Sequence, residues 1–387
     1  MRSKLFCAAA LPLFLLAACG GSADDEGQQA EAPATPSDGA DTMASRDPAP
    51  GEAAPANTDT EQRPVMQAQV VLERLGFGSG VIDGAMGASL TNAVKGFQES
   101  RGLAVTGELD DATRSALARW NNIPATRMVT IPESWGDIRF VPVPDGAPQQ
   151  AEMTHLGYES LVEKLAERFH TTPAVLAQLN PAARPAQASG TPSPSPTPSA
   201  SVTAVSAPVF SPGQQLRVPN VGADRIVGSE IENKDWLDTL RSLGVGTDQP
   251  TAAKVVVDKS EGWLKVFDEG DKLVAMFTVT TGSEHDPLPI GDWEIKGVAY
   301  NPPFAYDAEL FWDVPDEVGS HQLPPGPNGP VGVVWIDLSK DHYGIHGTPS
   351  PETIGSAQSH GCVRLTNWDA ARLAVMVSPG TAVVFQE

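Results

Sequence analysis

The sequence predicts a multidomain chain. A mainly β C-terminal domain, of β-sandwich or open-barrel type, follows a small three-helix domain and a partial α+β unit, all joined by disordered linkers. Three observations predict this. The 387 residues exceed what one typical domain holds. The 36 Gly and 35 Pro make up roughly 18% of the chain, against an average near 12%, and they gather into breaks. Hydrophobic periodicity then changes from helical in residues 64–120 to strand-like from residue 253 onward.

The chain opens with Arg2 and Lys4 ahead of an apolar run, residues 5–18, which ends in Leu16-Ala17-Ala18-Cys19. A short apolar core behind positive charge reads as an export signal, too short to span a bilayer as a mature helix. Small residues directly before a cysteine resemble the lipobox of a bacterial lipoprotein. That resemblance makes Cys19 the acylated N-terminus, and Gly20 after it favours the outer membrane of a diderm bacterium. Residues 20–62 carry ten acidic residues and one basic, with almost no large apolar side chain. They predict a self-repelling, disordered tether. The whole chain has 26 Lys+Arg against 48 Asp+Glu, a net charge of −22, which excludes a nucleic-acid partner.

Residues 63–121 predict the helical domain. Val65, Ala68, Val71, Leu72 and Leu75 share helix spacing, and Gly76 ends the run. Leu90, Ala93, Val94 and Phe97 mark a second helix, and residues 110–120 a third. The wording Leu75-Gly76-Phe77, Val81-Ile82-Asp83-Gly84, Ala93-Val94-Lys95-Gly96-Phe97-Gln98 and Gly102-Leu103-Ala104-Val105-Thr106-Gly107 resembles the peptidoglycan-binding domain 1 family. Residues 122–151 read as a connector.

Residues 152–220 form the α+β unit, with two short helices around His170-Thr171-Thr172-Pro173, where Thr172 caps and Pro173 takes the first helical position. Tyr158, Ala166, Phe169, Leu176 and Asn180, with Pro212-Gly213-Gln214-Gln215-Leu216-Arg217-Val218-Pro219, resemble a LysM glycan-binding module. A Pro/Ser spacer, residues 181–208, interrupts that pattern, and the opening strand is poorly marked. His170 reads as an ordinary turn residue. Residues 221–252 read as a second connector.

From residue 253 the chain is β-branched and aromatic. Runs at 254–258, 263–267, 273–279, 291–295, 331–336 and 382–385 predict strands, and residues 367–377 the single convincing helix, capped by Thr366 or Asn367. Of three cysteines, Cys7 leaves with the signal and Cys19 takes lipid, so Cys362 alone remains and no disulfide framework exists. Its neighbours decide its role. Tyr343-Gly344-Ile345-His346-Gly347-Thr348 and Ser359-His360-Gly361-Cys362-Val363-Arg364-Leu365 place a thiol near two imidazoles and a guanidinium. A base or cation that lowers a thiol pKa makes it a nucleophile, and imidazole suits that task. Gly361 permits close backbone approach, so amides there can face an oxyanion. Arg364 alternates with Cys362, so both project to one side. A buried, inert core thiol is the competing reading, but small polar neighbours make a poor apolar pocket. A zinc site at His342, His346 and His360 is disfavoured because Gly344 breaks any helix and no acidic ligand is suitably spaced. No metal and no cofactor is expected. His285 and His321 read as solvated loop residues.

The paired motifs resemble the L,D-transpeptidase (YkuD-like) catalytic domain over residues 253–387. The resemblance implies that Cys362 accepts the acyl group, His346 activates it, His360 shapes the site, and Gly361 with Cys362 supplies oxyanion donors. Arg364 orients substrate, with Tyr343, Gly347 and Ser359 on the substrate side. The implied reaction takes a peptidoglycan stem tetrapeptide, releases D-alanine, and passes the thioester to an amine of another stem, a free D-amino acid or an envelope protein. Two alternatives stand beside it: hydrolysis as a carboxypeptidase or endopeptidase, and a non-catalytic wall tether. The implied location is the periplasmic face of the outer membrane.

Overall fold

The computed structural model describes residues 59, 61–183, 209–221, 225–310, 314–357, 359 and 361–387. The residues read as an export signal, with Cys7 and Cys19, nearly all of the segment read as an acidic tether, most of the Pro/Ser spacer, and His360 lie outside the described residues.

The helical domain contains α1 (Pro64–Arg74), α2 (Ala88–Ser100) and α3 (Asp111–Leu117). Pro64 opens α1, Gly76 ends it at φ +90, and the Asp110 carboxylate caps α3 by accepting from the Thr113 N–H. Val71, Leu72, Leu90, Val94, Phe97 and Leu117 form its core, but Trp263, Leu273 and Met276 of the C-terminal domain complete that core. Gly96 allows this: a Cβ there would strike Met276 and Phe77.

The α+β unit pairs β1 (Thr126–Thr130) antiparallel with β2 (Gln215–Pro219). Between them lie α4 (Ala147–Gln150), α5 (Leu161–Arg168) and α6 (Pro173–Leu179). Its opening strand therefore lies in residues 122–151, which the sequence pattern assigns to a connector. Thr126, Arg127 and Thr130 hide the apolar alternation that Val129 and Ile131 supply to the core. The Asn180 side chain ties the end of α6 to β2, donating to Arg217 O (2.8 Å) and accepting from Arg217 N–H (2.7 Å).

Residues 221–252 are likewise more than a connector. They contain α7 (Lys234–Leu243), capped by Asn233 and stopped by Gly244 at φ +70. Its Trp236, Leu240 and Leu243 are buried in the C-terminal core.

The C-terminal sheet runs β3 (Lys254–Asp258), β4 (Trp263–Phe267), β5 (Leu273–Thr278), β6 (Gly291–Tyr300), β9 (Val334–Leu338), β10 (Gly344–His346), β11 (Val363–Arg364) and β12 (Ala382–Gln386). A separate hairpin pairs β7 (Phe304–Asp307) with β8 (Ser320–Leu323). In space the eight strands order β11-β10-β9-β6-β12-β3-β4-β5. The sheet curls until the chain leaving β5 meets β11, where Thr280 and Arg364 exchange backbone hydrogen bonds of 3.1 and 2.8 Å. The result is an open barrel joined at one point. Helix α8 (Asn367–Met376), capped by the Thr366 hydroxyl, fills it with Trp368, Ala371, Leu373 and Ala374. The other edge strand, β5, is covered by the helical domain: Gly78 N–H donates to Met276 O (2.8 Å) and Met276 N–H to Gly76 O (3.1 Å).

His170 is not a surface turn residue. It is fully buried at φ +53, where the three units meet. Its ring stacks on Trp368 (centroids 4.9 Å apart), with Nε2 against Leu243 O (2.9 Å) and Nδ1 against Glu73 Oε1 (3.2 Å). Arg372 also donates to that carboxylate oxygen (3.0 Å). Burial pushes the Glu73 carboxyl up, but Arg372 and His170 more than offset it and hold it below the usual carboxylate range. Asp369 behaves oppositely: burial, then the Glu73 charge, raises it strongly.

Candidate active site

Strands β10 and β11 lie side by side in parallel, with Ile345 opposite Val363 and His346 opposite Arg364. Side chains alternate along each strand. Ile345 and Val363 are fully buried in the core, so Gly344, His346, Cys362 and Arg364 share the other face. Cys362 precedes β11 by one residue, and its diagonal neighbour across the pair is His346. These two motifs, sixteen residues apart in the chain, thus meet by strand register.

The shared face lines a cleft of roughly 370 Å³. Cys362, His346, Arg364 and Tyr343 line it, with Trp335, Phe304, Val331 and Asp286. Cys362 is only partly buried and opens on the cleft, unlike the fully buried core residues Ile345 and Val363. The His346 ring is 4% exposed and stacks on Trp335, centroids 5.5 Å apart and planes at 20°. Gly344 makes room for that indole: a Cβ would lie 2.5–2.8 Å from three Trp335 ring atoms. The Gly347 carbonyl is 2.7 Å from His346 Nδ1. A carbonyl only accepts, so Nδ1 carries the proton and Nε2 remains the basic nitrogen.

The supporting contacts follow from the same loops. The Ser359 hydroxyl donates to the Cys362 carbonyl (2.6 Å), and Ser359 N–H donates to Thr281 O (3.2 Å), fixing the backbone under the thiol. Gly361 adopts φ +98, and a Cβ there would strike the Tyr343 ring. Gly347 packs against the Asn367 amide with no room for a side chain. Ser359 and Gly347 therefore hold the loops in shape. His285 and His321 do not line the cleft; His285 is exposed, and His321 Nε2 bonds Val318 O (2.8 Å).

The electrostatics differ from the expected activated thiolate. Burial pushes the Cys362 thiol up, and a Gly344 backbone hydrogen bond with the Arg364 charge opposes this only in part. Burial and then Arg364 push His346 down to about 4, against the Gly347 bond. At neutral pH both partners are therefore uncharged. Arg364 favours thiolate and disfavours imidazolium, so its two effects on a proton passing from sulfur to nitrogen oppose each other. Burial and then the Cys362 charge likewise raise Tyr343.

Sequence reasoning missed Trp335, Phe304 and Asp286. One signal was present: in β9 the buried Val334, Ile336 and Leu338 alternate with Trp335 and Asp337, which puts a large aromatic on the non-core face.

Residues 252–385 match the YkuD family, the L,D-transpeptidase catalytic domain, and residues 61–117 match a putative peptidoglycan binding domain. A Bacillus licheniformis protein named putative L,D-transpeptidase YkuD is 54% identical over 59 residues, 15% of this chain and 36% of that protein. The chain thus spans about a third of the length of the Bacillus YkuD proteins it matches. The putative L,D-transpeptidase YqjB of Bacillus subtilis is 29% identical over 138 residues, 34% of this chain and 70% of that protein. Among solved structures, an L,D-transpeptidase from Mycobacterium smegmatis aligns with 35% of this chain and 59% of its own, at 23% identity and a TM-score of 0.29.

Proposed function

We propose that this protein is a cysteine-dependent peptidoglycan L,D-transpeptidase. The observation that carries the reading is the placement of Cys362, His346 and Arg364 on one face of adjacent in-register strands, all lining one cleft. The family match over residues 252–385 supports the same chemistry.

The resting pair is neutral, so the reaction starts by general-base catalysis. His346 Nε2 takes the thiol proton as Cys362 Sγ forms a bond to the acyl carbonyl of stem residue three. Backbone amides at Gly361 and Cys362 face the oxyanion. The imidazolium then gives its proton to the departing amine, the C–N bond breaks, and D-alanine leaves a thioester. An incoming amine attacks that thioester, its proton returns through His346, and the thiol is regenerated. Arg364 holds a substrate carboxylate, and Tyr343 borders the same side. The helical domain and the LysM-like unit bind the wall polymer. Acylation of Cys19 would place the chain on the periplasmic side of the outer membrane, with envelope-protein lysines as one class of acceptor.

Incubation of the protein with purified sacculi, followed by mass spectrometry of released muropeptides, tests this. Cross-linked or amine-exchanged products are expected, absent in Cys362→Ala while sacculus binding persists. Hydrolysed tripeptides alone would establish carboxypeptidase or endopeptidase action instead. An active Cys362→Ala protein would sink the mechanism and leave a wall tether. A carbapenem should also add its mass to Cys362.

A further inference from the structure

Pro330 and Val331, which line the cleft, belong to the connection between β8 and β9, residues 324–333. Much of what holds this connection comes from outside residues 252–385. Leu156 N–H donates to Pro325 O (2.9 Å), and Asn328 N–H donates back to Leu156 O (3.0 Å). Gly326 is essential to that approach, because at φ +152 a Cβ would run into the Leu156 backbone. The Asn328 amide donates to Gly157 O (3.0 Å) and to Glu163 Oε1 (2.6 Å).

One helical turn further along α5, Glu167 Oε1 accepts from the Asn367 amide (2.6 Å). Asn367 also donates to Pro327 O (3.1 Å) and accepts from Val333 N–H (3.2 Å), so it clasps the connection at two points six residues apart. The same amide packs against Gly347, whose carbonyl fixes the His346 tautomer. Two carboxyl groups four residues apart are thus kept where burial raises both, Glu167 to about 7. Glu163 is partly exposed and also accepts from the Glu159 N–H (2.6 Å), but at the buried Glu167 leucine or methionine would pack the helix face at lower cost, which argues that hydrogen-bond geometry is what that acid provides.

We infer that the α5 face bearing Glu163 and Glu167 is a positioning element of the cleft. Glu163, through Asn328, sets the Pro330–Val331 wall. Glu167, through Asn367, sets Gly347 and so His346. The activity readout of this inference rests on the transpeptidase reading; its geometry does not.

The full chain carrying Asn328→Ala or Glu163→Ala should show KM raised about tenfold with kcat within about twofold, because only the wall is loosened. Glu167→Ala should lower kcat ~10–100-fold, the scale of an ångström-level misplacement. Glu167→Gln keeps the acceptor oxygen and should recover most of that loss. Thermal unfolding of each variant is measured alongside. Iodoacetamide alkylation of Cys362 supplies an arm independent of turnover: its rate should change at least threefold in Glu167→Ala. If the wild-type chain turns over no stem peptide, the functional reading falls and alkylation alone decides. Wild-type kinetics in all the Ala variants, unchanged alkylation, or losses no larger than the unfolded fraction overturn the inference. Should Glu167→Ala not fold, the KM effect of Asn328→Ala, whose side chain is only partly buried, decides it.

Discussion

The resting charge state of the site can be measured directly. Each Cys362 alkylation event is assigned by peptide mass, and its rate with iodoacetamide reports the thiolate fraction. An ordinary thiol is only a few per cent ionised at pH 7, and burial of Cys362 leaves less. The rate should therefore climb close to tenfold per pH unit from pH 6 to 8, without a plateau. The informative perturbation is Arg364→Gln. Arg364 and Cys362 sit two residues apart on an extended segment, roughly 7 Å at 3.3–3.4 Å per residue. A unit charge at that distance and an effective dielectric near 20 is worth about 2 kcal/mol. Arg364 lowers the thiol, so its removal raises it. Alkylation at pH 8 should then slow by roughly tenfold or more. A wild-type plateau between pH 5 and 7 would mean a preformed thiolate–imidazolium pair and refute the neutral resting state. So would an unchanged rate in Arg364→Gln.

Three further outcomes follow from the geometry. Arg372→Met strands the buried Glu73 carboxylate and should cost about 3–5 kcal/mol, or roughly 5–8 °C in Tm on the basis of about 300 described residues; calorimetry checks it, and Glu73→Gln in the same chain should recover part. Glu167 has its folded pKa raised from 4.5 to about 7, so the folded state binds the extra proton between those values. Stability should fall as pH rises through that window and level off above it, by up to ~3 kcal/mol, a slope that urea titrations should find flattened in Glu167→Gln. Gly344→Ala drives a methyl into Trp335 and displaces the stack on His346; turnover should drop at least tenfold with a stability loss of about 1–3 kcal/mol.

The face that Cys362 shares with His346 and Arg364 was legible because its information is local. Two short motifs carry the reactive residue types, and strand alternation alone puts Cys362 with Arg364. The helical domain was legible for the same reason, since its periodicity and its glycine stops are written within each helix. What escaped the sequence was everything that depends on a partner far along the chain. Strand β1 offers a weak alternation because its pairing with β2, nearly ninety residues on, decides its conformation. Helix α7 falls in residues that read as linker, although Trp236, Leu240 and Leu243 recur at helical spacing. His170 looked like a turn residue because its φ is indeed a turn value; its burial depends on Glu73, Leu243 and Trp368, none of them near it in sequence. The residue types beside Cys362 favour ionisation of the thiol, whereas its desolvation depends on the enclosing walls, which come from distant parts of the chain.

The helical domain and the barrel complete one another's interior through Phe77, Phe97, Trp263 and Met276. Under the proposed function, attachment to the wall and chemistry on it are consequently not separated by a length of string. A polymer gripped by the first would then be offered to the second at one spacing and one angle, as work is held in a jig. Such an enzyme would choose its bonds by where they fall along the strand as much as by their chemistry.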